Sequence, residues 1–189
     1  MTVRLGIIAE DDGDVDVAEI LIRKIAAKHF QVKKFVGRGC GKIVAKCRPW
    51  ATTLHSQGCS LLIIIHDLDE KSEPVLRQML NNALNPSPIA KHVIIIPIKE
   101  LEAWLLSDHD AINLALKLKR PLPKVSNPQA LARPKERLRD LIYSYSQKRI
   151  IYVNTIHNAR IAAKTSIRVI KARCSSFVPF ANFVSAYLG

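Results

Sequence analysis

Hydrophobic and polar positions divide this chain into short unbroken apolar runs and longer segments with helical spacing. Val3–Ala9 (VRLGIIA) is a compact apolar run of the kind a buried strand requires. Residues 14–29 carry Val15, Ala18, Ile22 and Ile25 at helical intervals and end in a Lys/His turn suited to a helix C-terminus. Residues 31–36 read as a second strand, GRGCG as a turn, and 42–57 as a helix interrupted by Pro49. The run SLLIII at 60–65 is apolar throughout, the pattern of a parallel strand covered on both faces. A helix over 73–84, a breaking NPSP, a fourth strand at 92–98 (HVIIIPI) and a helix over 100–107 follow. Four strands separated by helices predict right-handed βαβ units and a mainly parallel four-stranded sheet in a three-layer α/β fold.

Beyond residue 110 the pattern turns helical. A Pro-rich loop over 120–134 leads to a helix at 134–144, and a helix is expected at 158–172 and a last one at 180–188. The short run 150–153 fits either a fifth strand or a helical turn. The expected organisation is an α/β domain over 1–110 with a basic, mainly helical extension over 111–189 packed on it. A chain of 189 residues can bury a sufficient core without disulfides or a structural metal. Cys40, Cys47, Cys59 and Cys174 form no CxxC pair, so buried free thiols are expected. No stretch approaches the ~18 apolar residues of a membrane span, and MTVRLGIIAEDD lacks the form of a secretory leader. A cytoplasmic location is the expectation.

Charge changes the picture more than composition does. The formal net charge is +13, and all of it lies in the second part. Residues 1–110 hold 14 Lys/Arg and 14 Asp/Glu, whereas 111–189 hold 15 Lys/Arg against Glu136 and Asp140 alone. A basic half joined to a balanced one points to a polyanionic partner, nucleic acid before membrane; DNA is the expected partner more than RNA, although the charge does not distinguish the two. Arg160, Lys164, Arg168 and Lys171 fall on one stripe of the helix expected at 158–172, suited to tracking phosphates. A solvated basic face explains the same spacing equally well. GRGCGK, Gly37 to Lys42, lacks Walker spacing and reads as a turn, with Lys42 as a candidate phosphate contact.

Ligands of open parallel sheets sit outside the carboxyl ends of the strands, and three acidic clusters fall there. Glu10-Asp11-Asp12-Gly13-Asp14 follows the first strand, Asp67-Leu68-Asp69-Glu70 the third, and Glu100-Leu101-Glu102 the fourth. Hard divalent cations such as Mg²⁺ take carboxylate oxygens, with water filling the remaining positions. In extended chain Asp67 and Asp69 would point the same way and reach one ion. Acids at strand–helix junctions also cap helices and favour their dipoles. Three clusters on one edge are harder to explain by capping, because gathered like charges need a cation to offset them. His66 and His109 have no second His or Cys at metal-ligand spacing and read as ordinary polar residues. Trp104, Phe177, Phe180 and Phe183 read as packing anchors.

At these residues the chain resembles Toprim-fold proteins. That fold places a Glu after its first strand, matched by Glu10, and Asp-x-Asp after its third, matched by Asp67-Leu68-Asp69. Asp14 resembles the second acid of OLD-type nucleases, although Asp11 stands where that pattern has Gly. IPIKELEAWLLSD, PKERL and CSSFVPFANFV are similar to segments of small, mostly uncharacterised bacterial Toprim-like proteins. The resemblance implies a metal-dependent nuclease with Glu10, Asp67 and Asp69 as catalytic residues. Glu10, Asp14, Asp67, Asp69, Glu100 and Glu102 would form the ligand set for Mg²⁺ or Mn²⁺. The chain has no GxxxxGK[ST], so an ATPase would come from another chain of a defence or repair system. Two rival readings are a non-catalytic partner subunit of such an ATPase and a phosphoacceptor receiver domain. The receiver lacks its hydroxyl residue after strand four and its Lys after strand five.

Overall fold

The computed structural model describes residues 2–38 and 40–189. Its sheet consists of β1 (Val3–Ala9), β2 (Phe30–Val36), β3 (Leu61–Ile65) and β4 (Lys91–Ile95), in the order β2-β1-β3-β4. All three pairings are parallel. Helix α1 (Asp12–Ile25) links β1 to β2, α2 (Cys40–Ser56) links β2 to β3, and α3 (Glu73–Leu84) links β3 to β4. After the sheet come α4 (Glu102–Leu106), α5 (His109–Leu116), α6 (Pro134–Tyr145), α7 (Asn154–Lys164), α8 (Ile167–Arg173) and α9 (Val178–Leu188).

Side chains alternate across the sheet with the period of two that a strand imposes. Leu5, Ile7, Ala9, Leu61, Ile63 and Ile65 face one core, and Ile8, Leu62, Ile64 and Ile94 face the other. The second core is closed by α2 and α3 through Ile43, Cys47, Leu54, Leu76 and Leu80. The first is closed by α1 and by the later helices, through Leu21, Trp104, Leu138, Ile142, Ile161, Phe177 and Phe180. Residues on both sides of position 110 therefore share one core. Trp104 anchors it: its ring lies 5.0 Å from Phe177 edge-on and 5.8 Å from Phe180. Its indole N–H donates to Ser176 Oγ at 2.9 Å, so the polar end of the ring is satisfied. Cys47, Cys59 and Cys174 are buried free thiols. No helix among the described residues is long and apolar enough to cross a membrane.

Several boundaries differ from those read in the sequence. Helix α1 starts at Asp12 because Asp11 caps it, accepting from Asp14 N at 2.9 Å while Asp14 accepts from Asp11 N at 3.2 Å. Helix α5, not foreseen, begins where Asp108 Oδ1 accepts from Ala111 N. Residues 150–153 form neither strand nor helix. The helix expected at 158–172 is two helices, α7 and α8. Thr165 leaves helical geometry at ψ 140°. The Ser166 N–H then donates to Asp108 Oδ2 at 2.8 Å instead of continuing the helix ladder. Arg160 and Lys164 consequently lie on one helix and Arg168 and Lys171 on the next, all four exposed, and the single helical stripe does not exist.

Candidate functional site

Parallel pairing of β1 with β3, with Ile8 opposite Ile64, brings the residues after both strands to one edge of the sheet. There Glu10 Oε1 accepts from the Asp67 backbone N–H at 3.1 Å. His66, fully buried beside it, brings Nδ1 to 2.7 Å from the same Glu10 oxygen and 2.8 Å from its neighbour's carbonyl, Asp67 O. Both partners are acceptors, so Nδ1 carries the proton and donates. Asp67 Oδ1 in turn accepts from Leu101 N at 2.9 Å, which ties the end of β3 to the turn leading into α4. One oxygen of Glu10 and one of Asp67 are thus held by main-chain donors. Each carboxylate has about four lone-pair sites, so further acceptor capacity remains.

Around this pair the other acids arrive from separate elements. Asp14 sits in the first turn of α1 and is buried. Burial pushes its carboxyl well above the usual aspartate range, and the charges of Asp11, Glu102 and Glu10 push it further. Asp67 is displaced in the same direction, by burial first and then by Asp14, Glu102, Glu10 and Asp69. Asp69 is raised by burial and by Glu10, against the opposing charges of Lys71 and His66. Its backbone has φ +50°, so the chain is not extended there and the alternation expected of Asp67 and Asp69 does not apply. The turn is fixed instead by Lys99, whose carbonyl accepts from Asp69 N at 3.0 Å and whose Nζ donates to Asp69 O at 2.9 Å.

Glu102, on the first turn of α4, is buried and held by the distant tail. Its Oε1 accepts from Asn158 Nδ2 at 3.0 Å and from Tyr152 OH at 3.2 Å, while Tyr152 OH also lies 2.5 Å from Asn158 Oδ1. The Tyr152 hydroxyl stays protonated, its pKa raised by burial and by Glu102. Glu100 Oε2 accepts from Lys135 N at 2.7 Å at the start of α6. Burial raises the Glu100 carboxyl, and Glu102 and Glu136 add to it. The Lys135 side chain is the basic counterweight. Burial alone would lower its pKa, but Glu102, Asp11, Asp14 and Glu100 together raise it.

Glu10, Asp14, Asp69 and Glu102 are therefore all within electrostatic reach of Asp67, with Glu100 beside Glu102. Among the described residues, no three His, Cys, Asp or Glu side chains surround one point as a preformed metal cage. The donor set itself is hard oxygen, and its buried carboxylates repel one another, which is the electrostatics a divalent cation relieves. Lys42 is exposed on the first turn of α2. In the preceding loop the Gly37 and Arg38 N–H groups donate to Ala9 O and Glu10 O, so they are used by the sheet edge. Gly39 and the Cys40 side chain of GRGCGK lie outside the described residues.

Sequence reasoning missed His66, Lys135, Tyr152, Asn158 and the role of Asn154, whose Nδ2 donates to Asp11 Oδ2 at 2.9 Å. His66 sits where the β3 run ends, a position that favours the strand-end edge but names no partner. The other four come from α6, α7 and the irregular segment before α7, all remote in sequence, and no spacing signals them. No curated protein and no solved structure matches the chain. The family model described as a domain of unknown function (DUF4276) matches residues 9–185, from the end of β1 into α9, and the chain belongs to that family.

Proposed function

We propose that this protein is a metal-dependent nucleic-acid phosphodiester hydrolase of Toprim type. The observation that carries the reading is the meeting of Glu10 and Asp67 across β1 and β3, with Asp14, Asp69 and Glu102 within electrostatic reach. Glu10, Asp67 and Asp69 would hold Mg²⁺ or Mn²⁺, with Asp14 and Glu100 or Glu102 completing the set. A bound ion of this kind polarises a phosphoryl oxygen and lowers the pKa of a bound water. His66 positions Glu10 by donating to it from a fully buried site. The basic residues of 111–189, Arg160, Lys164, Arg168 and Lys171 among them, supply the field that attracts the substrate strand. The reading extends to a cytoplasmic protein working with a separate ATPase subunit in defence or repair.

Purified protein incubated with plasmid, single-stranded DNA and RNA in Mg²⁺, Mn²⁺ or EDTA tests it. Cleavage is expected only with metal, with a loss of at least about a hundredfold in Asp67→Ala while the circular dichroism spectrum is unchanged. Cutting by Asp67→Ala at the wild-type rate rejects the assignment.

A further inference from the structure

A cavity of ≈ 200 Å³ is built from the residues that end α5 and α6. Lys117, Lys119, Gln147 and Arg149 give it a polar lining, Leu116, Tyr145 and Ile150 supply carbon, and no acid lines it. The Arg120 guanidinium lies over the Tyr145 ring at 5.6 Å, which brings a fourth cation to the same place. The acidic cluster is remote. Lys135 touches it at the start of α6, and Tyr145 closes the same helix about 15 Å away at the helical rise.

Helix C-termini attract cations, which accounts for part of this charge. Two helix ends together are equivalent to about one negative charge, so four cations leave an excess of about three. The two acids of 111–189 are engaged elsewhere, Asp140 with Arg139 at 3.1 Å and Glu136 beside Glu100. Among the described residues, none of the four cations forms an ion pair. The backbone singles out the same place. Six described residues other than glycine have φ between 50° and 63°. Arg38, Asp69 and Lys99 are at the acidic edge, and Lys117, Gln147 and Lys148 are at this cavity. Glycine adopts that conformation freely, whereas any residue with a Cβ is strained in it, and such strain gathers where a ligand is held. Both loops keep long polar side chains there.

The volume falls below the ~300–1,000 Å³ of sites for drug-sized ligands, so the occupant is small. Lys and Arg carry only donors. A phosphate monoester carries close to two negative charges, at about −1.5 to −2 near pH 7, and strong acceptor oxygens. We infer that this cavity binds a dianionic phosphate group, held by Lys117, Lys119 and Arg149, with the Gln147 amide as a neutral donor and Arg120 adding charge from its place on Tyr145. Free phosphate and the end of a phosphate ester share that chemistry. The site is separate from the acidic edge and stands independently of the nuclease reading.

Isothermal titration calorimetry in EDTA at about pH 8, where a phosphomonoester is a dianion, tests this at constant ionic strength with inorganic phosphate, methyl phosphate and dimethyl phosphate. Inorganic phosphate is expected to saturate a single site with a Kd on the order of 1 mM. Dimethyl phosphate, a monoanion, should bind about tenfold more weakly. Arg149→Gln and Lys117→Gln should each weaken inorganic phosphate about fivefold, the loss of one unit charge beside a dianion. Lys46→Gln, on α2, should leave it unchanged. All three positions are exposed, so melting temperatures in chloride should match wild type. Methyl phosphate binding as tightly as inorganic phosphate identifies an ester as the source, and its exclusion identifies the free ion. Failure to saturate by about 50 mM, equal affinity for dimethyl phosphate, or wild-type affinity in both Arg149→Gln and Lys117→Gln overturns the site.

Discussion

At the residue scale, Asp14 and Asp67 are the unusual groups. Asp14 is buried and Asp67 half-buried, both feel Glu10 and Glu102, and both have folded-state pKa values raised above the unfolded value near 3.8. A raised carboxyl means that the folded state holds more protons than the unfolded one. The associated stability is fully present below pH 3.8 and is lost as pH rises through the raised values. In EDTA, wild type should therefore lose melting temperature with rising pH relative to Asp67→Asn, which keeps an acceptor for Leu101 N without the charge. At neutral pH Asp67→Asn is expected to melt about 2–4 °C higher than wild type in EDTA, and Mg²⁺ should erase the difference by stabilising wild type alone. A variant that melts lower than wild type in EDTA contradicts the repulsion. Glu10 and Asp67 were legible in the sequence because an acid directly after an apolar run must sit at a strand's carboxyl edge. His66 was not legible as a partner, because its contact with Glu10 depends on β1 and β3 being neighbours, which spacing along the chain does not reveal.

The elements were legible where one periodicity ran uninterrupted, as in β1, β3 and α3. They were misread where a single tertiary hydrogen bond ended a helix that its own sequence would continue. Ser166 is the example: its N–H goes to Asp108, and the helical ladder ends one residue earlier. Asp108 thus serves two elements, capping α5 with Oδ1 and receiving the start of α8 on Oδ2. Removing it orphans two N–H groups. Asp108→Ala is predicted to lose about 2 kcal/mol in urea denaturation, at the upper end for a single cap. A loss within 0.5 kcal/mol, which is about the scatter for ordinary surface changes, would mean that water replaces both bonds. The two pairs of basic residues on α7 and α8 are oriented by that break rather than by helical repetition.

For the whole molecule, the sheet face that packs on α1 has no complete cover within residues 1–110. Leu138, Ile142, Ile161, Phe177 and Phe180 lie in the same core as Leu5, Ile7 and Ile63. Cutting at 110 would open that core and strip Glu102 of Asn158 and Tyr152. The 1–110 fragment is predicted to show no cooperative thermal transition and to bind a dye for exposed apolar surface. A fragment with a sharp melt would instead establish an independent α/β unit. The site is completed in the same way, since its acids follow the strand ends or open α1 and α4, all within residues 10–102, and the groups that hold Glu100 and Glu102 come from α6, residue 152 and α7. The order of manufacture matters for such a design. As the polypeptide leaves the ribosome, greasy strands emerge long before Phe177 and Phe180 arrive to cover them. The nascent protein must therefore wait half-built, a natural client for chaperones until the last helices are released.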